Sequence, residues 1–150
     1  VTRPDDRITL TTISFLANTS SQLDAFRARL KQRTPLHTSS FVECRYYGDE
    51  VYICICLEAA PHETQTLTWW LDITPREGMW LIEASVLLNG RTPVVQAPPQ
   101  RVYDFQAVQN ELPDILDQLL QAGAAVLDKM LARQSSAKAD QSVNESEAEA

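Results

Sequence analysis

Glycine is scarce: the 150 residues hold only four. Gly48, Gly78 and Gly90 fall in turn-like sequence and Gly123 lies in an apolar helical stretch, so no glycine-rich loop remains to cradle a phosphate. This absence excludes nucleotide folds of the Walker and Rossmann kind. Long apolar runs are missing too, and nothing approaches the ~18 residues that a membrane span needs. Cationic residues are in the minority, 13 Lys and Arg against 20 Asp and Glu, for a formal net charge of −7. Nucleic acid and anionic membranes call for clustered cations, so neither is expected as a partner. Part of the negative charge is local: Gln134–Ala150 carries Lys138 against Asp140, Glu145, Glu147 and Glu149.

Histidine occurs twice, as His37 and His62, and neither stands in a ligand-spaced motif. The three cysteines make no CxxC, since Cys54 and Cys56 have one residue between them and Cys44 is alone. We read surface histidines and core thiols rather than a zinc site. An odd number of strand cysteines, with no secretory apolar segment at the start of the chain, points to reduced thiols in a cytoplasmic setting. A GxSxG nucleophile elbow is absent as well. No catalytic residue, metal or cofactor is expected.

What the chain does have is a tryptophan hairpin from Thr66 to Leu88, holding all three tryptophans. Side chains on a strand alternate faces, so Leu67, Trp69, Leu71 and Ile73 share one face and Thr68, Trp70, Asp72 and Thr74 the other. In the second strand Trp80, Ile82, Ala84, Val86 and Leu88 oppose Leu81, Glu83, Ser85 and Leu87. A four-residue connection, Pro75-Arg76-Glu77-Gly78, would pair Thr74 with Met79, Ile73 with Trp80, Leu71 with Ile82 and Trp69 with Ala84. The two apolar stripes then coincide, and burial selects the register.

Upstream, Val1–Asp6 reads as a flexible arm and Arg7–Ala17, rich in β-branched residues, as a strand. Ser21 and Asp24 have capping-box spacing for a short helix carrying Leu23, Phe26 and Leu30 on one face, ended by Pro35. Ser39–Tyr47 and Glu50–Ala59 form a second hairpin about Gly48-Asp49, pairing Tyr46 with Val51 and Cys44 with Ile53. Downstream, Asn89-Gly90 is a turn, Thr92–Gln96 a short edge strand and Pro98-Pro99 an extended loop. Asp104 caps a helix from Phe105, in which Pro113 either starts a new helix or kinks this one. Leu112, Leu116, Leu119, Val126 and Met130 follow helical spacing, widened by Ile115, Leu120, Leu127 and Leu131. A close backbone approach accounts for Gly123 among alanines.

The expected architecture is one α+β domain over residues 7–133, followed by a disordered acidic tail over 134–150. It is a two-layer sandwich: a mostly antiparallel meander of five or six strands, with a short N-terminal helix and a long C-terminal helix on one face. The other face then carries Tyr47, Tyr52, Trp70, Leu81 and Leu87 among Glu43, Arg45, Glu58, Asp72 and Glu83. Aromatics mixed with charge typify interface surfaces. Tyr47, Tyr52, Trp70, Asp72, Leu81 and Glu83 are accordingly expected to bind a partner. Asp72 and Glu83, diagonal neighbours in this register, make a carboxylate pair, but on an open face water damps any pKa shift and a solvated surface is the reading.

The expected function is therefore a non-catalytic protein-binding domain with an unidentified protein partner. In size, charge and architecture the chain is similar to immunity proteins, antitoxins and secretion chaperones. The alternative is a carrier of small hydrophobic ligands, or an enzyme, with a cavity between sheet and C-terminal helix; the element order loosely resembles helix-grip lipid-binding folds. Homodimerisation through the outer sheet face is compatible with either.

Overall fold

The computed structural model describes the backbone of residues 4–33, 37–47 and 50–149, with side chains over 13–32, 37–45 and 50–140. Helix α1 (Pro4–Arg33) precedes six strands: β1 (His37–Tyr47), β2 (Glu50–His62), β3 (Gln65–Arg76), β4 (Met79–Leu88), β5 (Thr92–Gln96) and β6 (Gln100–Val102). Helix α2 (Phe105–Glu149) closes the chain. The strands form one antiparallel meander in the order β1-β2-β3-β4-β5, with β6 also pairing with β4. No described helix is long and apolar enough to cross a membrane.

Both helices pack on one face of the sheet, as the α+β reading expects. Ile53, Ile55, Leu57 and Ala59 of β2, Leu67, Trp69, Leu71 and Ile73 of β3, and Ile82, Ala84 and Val86 of β4 are buried there. Leu23, Phe26 and Leu30 of α1, and Val108, Leu112, Leu116, Leu119, Leu120, Ala124 and Leu127 of α2, cover them. The β1–β2 register is the expected one, Cys44 opposite Ile53 and Tyr46 opposite Val51. The Gly48-Asp49 turn lies outside the described residues.

Four expectations need correction. Arg7–Ala17 is helix, not strand, so α1 is twice the expected length. The buried side chains Phe15, Thr19, Leu23, Phe26 and Leu30 recur at helical spacing, and this packing overrides the local strand preference of β-branched residues. Ser21 and Asp24 are consequently interior to the helix, where Asp24 pairs with Arg27 at 3.6 Å. The Thr19 hydroxyl, buried in the same stripe, donates back to the Phe15 carbonyl at 2.9 Å.

The tryptophan hairpin closes through two residues rather than four. Glu77 (φ 51°) and Gly78 (φ 76°) both adopt positive φ, the combination a type I′ turn requires. Arg76 then pairs with Met79, Leu71 with Ala84 and Trp69 with Val86, a register two residues away from the expected one. A shift of two preserves the faces, so the apolar stripes still coincide. It also brings Asp72 directly opposite Glu83 instead of diagonal to it.

The third correction concerns the C-terminal segment, which continues α2 to Glu149. It adds nothing to the core: every side chain from 135 to 140 is exposed. The N-terminal arm is likewise shorter than expected, since Pro4–Asp6 already belong to α1, while Val1–Arg3 lie outside the described residues. Of the two readings of Pro113, the start of a new helix falls away, because the residue stands inside α2. Lacking an N–H, it leaves the Gln109 carbonyl without its intrahelical donor. Gln22 of α1 donates to the Pro113 carbonyl at 2.9 Å, tying the two helices at that level.

Two local expectations hold. Asp104 accepts from the Ala107 N–H at 2.7 Å and caps α2. Gly123 lies against the Trp69 indole, whose ring atoms would meet any added Cβ. The Trp69 N–H donates to the Leu120 carbonyl at 3.3 Å. Indole and helix backbone are thereby locked together in the centre of the domain.

Candidate functional site

The outer face of the sheet is read most simply as rows running across the strands. One row comprises Phe41, Cys56, Trp70, Ser85 and Gln96. The next comprises Glu43, Cys54, Asp72 and Glu83. Arg45 opposite Tyr52, and Thr74 opposite Leu81 opposite Arg101, follow along the same strands. β2 pairs with β3, so the two hairpins share one sheet and their outer faces are continuous.

Of the six expected partner-binding residues, the structure gathers Tyr52, Trp70, Asp72, Leu81 and Glu83 on this face. Tyr47 pairs with Glu50 through its backbone, and its side chain lies outside the described residues. Trp70 is half-buried, and its indole N–H donates to Asp72 Oδ2 at 2.7 Å. Tyr52 donates its hydroxyl to Glu50 Oε2 at 2.8 Å. Arg45 holds Glu43 through two bonds, Nε to Oε1 at 2.8 Å and Nη2 to Oε2 at 3.1 Å. That guanidinium keeps the Glu43 carboxyl below the usual carboxylate range.

Phe41 is the residue the sequence reading missed. It is 45 % exposed and meets Trp70 edge-on, with ring centroids 6.5 Å apart. Its position two before Glu43, in the same alternation, was the available signal.

Trp70 and Asp72 form a ridge between two shallow concavities. The first, about 310 Å³, is lined by Phe41, Glu43, Arg45, Tyr52, Ile53, Cys54, Trp70, Asp72 and Thr74. The second, about 150 Å³, is lined by Trp70, Asp72, Glu83, Ala84, Ser85, Gln96, Ala97 and Pro99. The first is built from strand residues alone, the second adds Ala97 and Pro99 from the β5–β6 loop, and no helix residue lines either. The buried Thr74 hydroxyl in the first has no hydrogen-bond partner.

The thiols on this face are poorly suited to chemistry. Burial, with the Asp72 carboxylate as the next cause, pushes the Cys54 thiol up to about 12. Burial, together with Glu58 and Asp72, pushes Cys56 up to about 11. A nucleophilic cysteine needs the opposite environment. Among the described residues no three His, Cys, Asp or Glu side chains cluster as a metal site would require.

The inner side offers a different cavity. A cleft of about 420 Å³ opens between α1 and α2, lined by Ser14, Phe15, Asn18, Thr19, Gln22, Gln109, Leu112 and Pro113. Its lining is largely uncharged and polar. The space between the sheet centre and α2 is occupied by Trp69, Leu116 and Leu120, each 1 % exposed or less. Compared with known proteins, the chain matches no family model, no curated protein and no solved structure.

Proposed function

We propose that this domain binds another protein on the outer face of its sheet and catalyses no reaction itself. The observation that carries this reading is the Phe41–Trp70 aromatic pair, set beside Tyr52 and a row of carboxylates on a face that neither helix covers. Rings of this kind contribute large contact area with little side-chain entropy to lose, which is why they dominate binding hot spots. The protonated thiols and the open setting of Asp72 and Glu83 favour binding over catalysis. Trp69 filling the space beneath α2 favours it over a buried-ligand carrier.

The test is affinity capture from the native cell by the full chain, followed by mass spectrometry, with a Trp70→Ser/Tyr52→Ser double variant alongside. The expected outcome is loss of the captured protein with a thermal midpoint nearly unchanged. A steep fall in the midpoint would make these rings core residues and end the proposal. Sedimentation of the purified chain reads self-association through the same face.

A further inference from the structure

We infer that two copies of this chain join edge to edge through β1, antiparallel about a two-fold axis at Cys44, so that their sheets become one. The inference goes beyond the binding role of the outer face and does not depend on it. β1 pairs with β2, and among the described residues no strand pairs with its other side. The two-residue connection between Tyr47 and Glu50 makes that pair hydrogen-bonded. Backbone groups alternate direction along a strand, so those of Tyr47, Arg45, Glu43 and Phe41 face β2. Those of Thr38, Ser40, Val42, Cys44 and Tyr46 then point outward. The Thr38 carbonyl accepts from Arg27 Nη2 at 2.9 Å, and Arg27 also donates to the Thr38 and Ser40 hydroxyls. Helix α1 thus closes the start of this edge. It then leads across the sheet to Phe105, which also meets Trp80 of β4.

The two edges of the sheet are protected differently. A bare edge is a template for pairing, and natural sheets blunt it with proline, bulges or short strands. The β4 side has all three: β5 contains Pro93, the β4–β5 register shifts between Val86 and Leu87, and β6 has three residues. β1 contains no proline, and its 11 residues keep one register against β2. Charge identifies a second copy as the occupant. Outward groups bond only to outward groups, so an antiparallel copy of β1 must be centred on a residue rather than between two. Centred on Cys44, Glu43 of each copy stands opposite Arg45 of the other. Centring on Glu43 or on Arg45 would instead set like charges against each other, and these repel. Each Arg45 already holds its own Glu43 at 2.8 Å, so the join sets two ion pairs side by side as one network. The two Phe41–Trp70 surfaces then face the same way.

Sedimentation equilibrium of the purified full chain reads the dimer, and charge reads its register. The unaltered chain is expected to dimerise, with Glu43→Arg and Arg45→Glu each weakening association about tenfold or more. An equimolar mixture of the two variants should recover it, because every Glu then meets an Arg across the join. Both variants lose the Glu43–Arg45 pair within the chain, so recovery on mixing isolates the contact between copies. Cys44→Pro removes an N–H that points away from β2 and should abolish the dimer, its thermal midpoint reporting whether β1 still pairs with β2. Should that variant unfold, the mixture decides alone. A chain that stays monomeric even at about 1 mM would overturn the inference. So would a dimer indifferent to these charges, or a mixture that recovers nothing. Loss of the dimer in Trp70→Ser/Tyr52→Ser but not in Cys44→Pro would also overturn it, by moving the contact to the outer face. Capture of a partner protein by that face is read separately and can succeed or fail whichever result is found.

Discussion

Trp69 and Trp70 are chain neighbours with the same side chain and opposite fates. Trp69 points under the helices, is 1 % exposed, and packs against Phe26 at 5.8 Å between centroids and against the backbone at Gly123. Trp70 points to the open face, where it touches Phe41 and bonds an acidic side chain. The pleat of one strand thus assigns one indole to cohesion and leaves the next available for recognition. A sheet with helices on a single face separates stability from binding in this way, and perturbing the two sides should give different signatures.

The largest effect is expected from Trp69→Ala. Loss of a fully buried indole should cost about 3–5 kcal/mol in urea unfolding. A cost below about 1 kcal/mol would erase the contrast between the faces. Gly123→Ala probes the same contact from the helix side. Its methyl would overlap the Trp69 ring, so a loss of about 1–3 kcal/mol is expected. In a Trp69→Leu background most of that penalty should disappear, which a double-mutant cycle measures.

The outer face has its own signature in alkali. Cys54 and Cys56 stay protonated in the folded chain up to about 12 and 11, whereas the unfolded thiols ionise from their ordinary range near 9. Between these values the unfolded state binds fewer protons, so stability falls as pH rises. Below that window these thiols contribute no pH dependence. Urea midpoints at pH 8 and at about pH 10 should therefore diverge, and Cys54→Ala/Cys56→Ala should narrow the difference. The smallest effect is expected from Trp70→Ala, which should cost under about 1 kcal/mol of stability.

Much of the fold was legible because alternation is a strong signal. Leu67, Trp69, Leu71 and Ile73 fall on one side of β3 in any register, and a slip of two residues leaves that partition intact. The register itself was less legible. It depends on whether Glu77 accepts a positive φ, and a non-glycine residue gives little notice of that. Asp72 therefore came to face Glu83 directly, a relation the sequence concealed. The first half of α1 was hidden for another reason. Ile and Thr in 7–17 favour strand locally, and a contact that stabilises helix there, Phe15 against Phe105 at 5.5 Å, spans most of the chain. β6 was missed because three residues after Pro98-Pro99 carry no alternation of their own. The candidate face was read from parity alone, and parity extended one step further would have included Phe41.

The separation of the two faces is tested most directly by acrylamide quenching of single-tryptophan chains. In a W70F/W80F chain only Trp69 emits, and in a W69F/W80F chain only Trp70. The account predicts that Trp69 is shielded from the quencher and becomes accessible only on unfolding, while Trp70 is quenched readily in the folded chain. Equal protection of both indoles in the folded state would contradict it.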